Sequence, residues 1–166
     1  MALALSLLGT AWCRAAHHEP RVHALLSRQG KDTVRIDAPA RALRCTGPGG
    51  QIGRGLLLQG VNGGNGVLVW LRTPDSMTTG AWPVLQRGDT LTTRGATVGV
   101  RFMLGEMARG APLDSGTVWV TRADSAIALV ARGTGAETLT STRMAVEATF
   151  DAVPIGADTA SCRFQM

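Results

Sequence analysis

From Leu113 to Gly135 the chain reads LDSGTVWVTRADSAIALVARGTG, and its side chains take turns. Val118 and Val120 fall on one face while Thr117, Trp119 and Thr121 fall on the other, the period of two that marks a half-buried strand. Arg122 to Ser125 form a connection short enough for a hairpin. In the return strand, Ala126 to Arg132, the residues Ile127, Leu129 and Ala131 oppose Ala126, Ala128 and Val130, so both faces are apolar and a central strand is predicted.

The same device recurs along the chain. Val34 and Ile36 alternate with Arg35 and Asp37; Pro39 is expected to interrupt, and Ala40 to Cys45 to resume the strand. Gly53 to Gly60 and Val67 to Arg72 flank Asn62-Gly-Gly-Asn-Gly66, the strongest local hairpin signal in the sequence. Ala81 to Gln86, broken by Pro83, reads as a short edge strand, and Thr90 to Thr93 as a brief pairing. Val98 to Leu104 is a clear strand, and Glu106 to Gly116 a longer loop. Arg143 to Asp151 shows the cleanest alternation, with Met144, Val146, Ala148 and Phe150 on the inner side. No convincing helical period occurs after residue 31. About eight or nine short strands at turn-marked intervals predict an all-β fold, an antiparallel β-sandwich, with a small closed β-barrel as the runner-up.

The N-terminal segment differs. Met1 to Trp12 is apolar over a stretch too short to span a bilayer, which takes about 20 residues, and residues 1–15 are expected to be an export signal despite the missing basic start. Cys13 follows the apolar run and is a candidate for lipidation, although Trp12 stands where a lipoprotein signal has a small residue. Residues 16–31 are expected to be a linker or a short helix carrying Val22, Leu25 and Leu26, and the single β-domain to occupy 32–166. All three histidines (His17, His18 and His23) fall in that linker, without a neighbouring Cys or carboxylate cluster, so no metal site is expected.

Composition narrows the function classes. A chain of 166 residues with 45% apolar and 17% charged residues suits one globular domain, and its 21 glycines suit many tight turns. The net charge of +5 is concentrated early: residues 1–45 carry +4 and 46–166 only +1, with no basic run after Arg44. Nucleic acid is therefore not an expected partner, and a membrane enters only through a lipid at Cys13.

Candidate chemistry is sparse. Cys45 and Cys162 lie near the two ends of the expected domain and are expected to form a disulfide in an oxidising compartment. With no His in that domain there is neither a Ser-His nor a Cys-His pair. The run GPGGQIGRG at 47–55 leads into strand-like leucines rather than a helix N-terminus, so it reads as a turn, not a phosphate loop. Arg87-Gly88-Asp89 matches an adhesion tripeptide but is explained by turn chemistry. Glu106, Asp114, Glu137 and Glu147 leave a carboxylate-based hydrolase as an alternative. Trp70, Trp82 and Trp119 are candidate ligand-binding residues, since exposed indoles stack on sugar rings. VWLRTPDS at 69–76 and VWVTRADS at 118–125 echo each other, as two strands ending in similar turns.

The expectation is an exported, non-enzymatic module of the cell envelope or exterior with a binding or structural role, its partner a protein or a glycan, and no cofactor. A glycan-binding module and a small barrel holding an apolar ligand stand as alternatives beside the hydrolase.

Overall fold

The computed structural model describes residues 19–29, 32–46 and 55–162. The export signal, Cys13, His17, His18 and most of the 47–55 run lie outside the described residues. Nine strands follow one another: β1 (Arg21–Arg28), β2 (Thr33–Thr46), β3 (Gly55–Asn62), β4 (Asn65–Arg72), β5 (Gly80–Pro83), β6 (Gly95–Leu104), β7 (Met107–Ala123), β8 (Ala126–Ala136) and β9 (Arg143–Ser161). The all-β, mainly antiparallel architecture is as expected. The sandwich is not: eight strands in the order β7-β6-β4-β3-β2-β1-β9-β8 close on themselves through β7–β8 pairing, giving a barrel, and β5 joins as a ninth strand beside β7.

Three long strands cause the closure. β2 pairs with β1 over residues 33–39 and with β3 over 40–45. β7 pairs with β6 over 107–112 and with β8 from Leu113 onward. β9 pairs with β8 and β1 in its first half and then, past the start of β1, runs parallel to the end of β2. Each passes from one sheet to the other, turning what would be the open edges of a sandwich into corners. The turning points are local. Between Leu113 and Ser115 the β7–β8 register shifts, and with Gly116 following at φ +135° the inward parity changes from Leu113 to Val118. Ala152, with φ +42°, does the same in β9, moving the inward position from Phe150 to Val153.

Several segments differ from their sequence reading for the same reason. Arg21–Arg28 is a strand within the barrel, not a linker or helix: Val22, Ala24 and Leu26 point into the core while His23, Leu25 and Ser27 point out. Val22 and Leu26, four residues apart, satisfy either period, and pairing with β2 and β9 decides between them. Pro39 does not break β2; it sits where the partner changes from β1 to β3. Most of the expected 106–116 loop is the first half of β7, joined to β6 by a two-residue turn at Gly105 and Glu106. Residues 90–93 do not pair; the Asp89 carboxylate holds them as a loop by accepting from Leu91 N, Thr92 N and Thr92 Oγ1. The Asn62–Asn65 hairpin forms as read, with Gly63 and Gly64 both at positive φ.

The interior is one contiguous apolar cluster drawing on all nine strands, with Trp82, Phe102, Phe150, Leu58, Leu71 and Ile127 among its fully buried side chains. β8 is central as expected, but only its inner face is covered: Ala128 and Val130 on the outside are half-buried. A barrel has one interior. Among the described residues no helix is long and apolar enough to cross a membrane. Outward positions mix charged groups such as Arg21, Asp37, Arg132 and Glu147 with apolar ones such as Leu25, Trp119 and Val130.

Candidate functional site: the barrel mouth

The two ends of the barrel are built differently. One end gathers the β3–β4, β6–β7 and β8–β9 connections and is closed by a buried ion pair. Glu137 continues the inward row Ile127, Leu129, Ala131 of β8, and Arg28 Nε at the end of β1 donates to its Oε1 at 2.5 Å, with side chains 8% and 0% exposed. Thr140 Oγ1 donates to the other carboxylate oxygen at 2.7 Å. Burial pushes the Glu137 carboxyl up, but the hydrogen bonds from Arg28 and Thr140 and the charges of Arg28 and Arg109 outweigh it and hold the group below its ordinary value of 4.5. Arg28 also lies over the Phe102 ring, 5.6 Å from its centroid.

Among the described residues the opposite end is an open mouth. A cleft of about 730 Å³ is bounded by the end of β2 (Arg44, Cys45, Thr46), the start of β3 (Gly55, Leu56), residues 73–77 after β4, the end of β7, and Ile155 and Thr159 of β9. Its floor is the top layer of the core: Leu56 belongs to the interior cluster, and Met77, Ala123 and Ile155 pack against it. Its rim is polar, with Arg44, Thr46, Asp75, Ser76, Asp124 and Thr159. The two echoed segments both end here, Asp75-Ser76 after β4 and Asp124 after β7. Local hydrogen bonds shape this rim. Asp75 N donates to Thr73 Oγ1 at 3.2 Å, and Ala126 N donates to the Asp124 carboxylate at 3.0 Å, which together with Arg122 lowers that carboxyl from its ordinary value.

One wall is covalently fixed. Cys45 and Cys162 form the expected disulfide, with Cα atoms 5.0 Å apart, and Cys162 N donates to Thr46 O at 3.1 Å. The bond ties the rim end of β2 to the end of β9, where only a short, register-shifted parallel ladder joins the two strands. Cys45, Cys162 and Leu57 form a small cluster outside the barrel, with Leu68, Trp70 and Ala160 against it.

The three candidate tryptophans do not share a surface. Trp82 is fully buried in the core, its Nε1 donating to Thr78 O at 3.3 Å, because β5 lies beside β7 and turns the indole inward. Trp70 is half-buried on the outer face of β4 beneath Arg72, whose guanidinium is 4.6 Å from the ring centroid. Only Trp119, 43% exposed on the outer face of β7, is open to a ligand. The carboxylates are likewise dispersed: Glu137 is held by Arg28, Asp114 by Arg143 and Glu147 by Arg132, while Glu106 occupies a turn. Asp89 of the adhesion-like tripeptide is turned onto its own loop, and its main-chain oxygen accepts from Arg72 at 2.7 Å.

Sequence reasoning missed Arg44 as a rim residue and assigned no site to Asp75 and Ser76, although both lie in the echoed 69–76 segment. It missed His23 as a barrel residue; this side chain stands on β1 with Asp37 at 3.7 Å and Asp151 at 3.9 Å on either side. Among the described residues no group of three or more His, Cys, Asp or Glu is placed to hold a metal ion. Comparison with protein-family models, with curated proteins and with solved structures found no match to this chain.

Proposed function

We propose that this chain is an exported, non-enzymatic binding module of the cell envelope or exterior, and that it binds at the barrel mouth. The observation that carries this reading is the mouth itself: a concave, polar-rimmed cleft over an apolar floor, within the size range of small-molecule sites, with the Cys45–Cys162 bond on its wall. The disulfide supports an oxidising destination for the chain. A ligand held in the interior, the apolar-carrier alternative, has no support, because the inward side chains pack into one contiguous core. The carboxylate hydrolase has none either, since three of its four candidates are each committed to a separate arginine.

Mass analysis of the full chain, expressed with its own N-terminus and taken without reductant from outside the cytoplasm, tests the export half of this proposal. The expected product is shortened at the N-terminus and lacks two hydrogens relative to its reduced form. An intact chain with free thiols, retained inside the cell, would overturn it.

A glycan is the second reading, and one residue favours it. Trp119 is flanked on its face by Thr117 and Thr121, and cross-strand neighbours Val130 and Thr149 extend the row over β8 and β9. Added oligosaccharide should then shift the emission of Trp119 and not of the buried Trp82; no shift in the wild type rejects this reading.

A further inference from the structure

We infer that the mouth takes an amphipathic zwitterion of amino-acid to short-peptide size, its carboxylate on Arg44, its ammonium on Asp75 and its apolar side chain on the floor. The inference rests on reading the mouth as the binding site and specifies what enters it.

Elsewhere on the barrel some ionic groups are paired and others, such as Arg35, Arg87 and Arg101, are exposed without an ion pair among the described residues. Arg21 with Asp37, Arg122 with Asp124, Arg132 with Glu147, and Arg143 with Asp114 form ion pairs on the outside, and Arg28 with Glu137 at the far end. Of the three charged residues lining the cleft, Asp124 is engaged by Arg122 and by Ala126 N. Arg44 and Asp75 form no ion pair and no side-chain hydrogen bond among the described residues, and both are exposed. Among the described residues the cleft therefore presents one cation and one anion that no other protein group pairs, and a ligand carrying one charge of each sign complements both.

The strand order places them on neighbouring parts of the rim. Arg44 pairs with Leu56 of β3, which pairs with Leu71 of β4, four residues before Asp75. β2 and β4 therefore lie two inter-strand spacings apart, about 10 Å. An extended peptide rises about 3.4 Å per residue, so about three residues span the β2–β4 separation itself, while the four residues from Leu71 to Asp75 and the long Arg44 side chain add to or subtract from that interval. Between the two charges, Leu56, Met77, Ala123 and Ile155 offer an apolar floor, while Thr46, Ser76 and Thr159 offer hydroxyls for main-chain amides and carbonyls. Guanidinium suits a terminal carboxylate because it binds both oxygens at once.

The test uses the oxidised full chain with its methionine methyl groups labelled, since the Met77 methyl reports the floor. The probe is the dipeptide Ala-Leu, alongside its C-terminal amide, its N-acetyl form and an uncharged disaccharide. Saturable movement of the Met77 resonance with Ala-Leu is expected. Blocking either terminus should weaken binding by about tenfold or more, the scale of one charge-assisted hydrogen bond. Arg44→Gln should weaken Ala-Leu but not its amide, and Asp75→Asn should weaken Ala-Leu but not the N-acetyl form. Both residues are exposed, and unchanged resonances of core Met144 verify folding. Equal binding of blocked and free dipeptides, or movement only with the disaccharide, would overturn the zwitterion while leaving the mouth as a site. If no probe moves Met77, the mouth reading falls with it.

Discussion

Glu137 is the side chain whose environment departs furthest from what its type suggests. A carboxylate with no exposed side-chain surface persists because Arg28 and Thr140 supply donors that water would otherwise supply. Glu137→Gln should therefore destabilise the barrel by about 3 to 5 kcal/mol at neutral pH, because it leaves the Arg28 guanidinium buried and uncompensated. The pH dependence has a definite sign. A carboxyl lowered below its ordinary 4.5 on folding contributes stability above that value and loses it as pH falls through the folded value. Denaturant midpoints of the wild type and Glu137→Gln, measured at pH 7 and near pH 3, should converge in acid; a constant gap would show that the ion pair is not responsible. At the same scale the indoles separate by burial. Trp82→Ala should cost about 3 to 5 kcal/mol through the cavity it leaves, whereas Trp119→Ala, on the surface, should shift the thermal midpoint little. In the wild type, iodide should quench Trp119 and leave Trp82 unaffected.

Among the elements, the long bent strands carry the fold, and their bends rest on single residues. A Cβ added to Gly116 would stand 2.2 Å from Arg132 O on the neighbouring strand, at a φ of +135° that other residues rarely adopt. Gly116→Ala is expected to cost more than about 1 kcal/mol and to disturb the β7–β8 seam. Gly88→Ala, also at positive φ but with open space around the site, carries only the backbone penalty and should be the milder of the two by thermal unfolding. Most strands were legible because the alternation is local: β4, β6, β8 and the first half of β9 stand where Val67, Val98, Ile127 and Met144 begin their inward rows. β1 was not, because Val22 and Leu26 fit a helical stripe as well as a strand, and only pairing on both edges removes the ambiguity. The first half of β7 was masked by Gly110 and Pro112, which look like loop residues until Arg101 and Gly99 of β6 are set against them.

Across the whole molecule, the disulfide closes the longest loop. Cys45 and Cys162 are 117 residues apart in sequence, so the bond constrains nearly the entire unfolded barrel. In the chain-entropy account this is worth about 4 to 5 kcal/mol. Cys45→Ser combined with Cys162→Ser should lower the thermal midpoint by a margin that added reductant reproduces in the wild type. If reductant leaves the wild type unchanged while the double variant falls, packing of the Cys45–Leu57–Cys162 cluster, rather than the covalent link, holds the rim.

The sequence by itself determined the all-β class, the antiparallel hairpins, the inward rows of the core and the cysteine pair, because each follows from neighbours within a few residues or from there being only two cysteines, of three, within the expected domain. Closure into a barrel, the inward turn of Trp82, the Arg28–Glu137 plug and the mouth were decided only in three dimensions. Each depends on which strand edge a bent strand meets after its bulge, and a local period of two carries no record of the partner across the sheet.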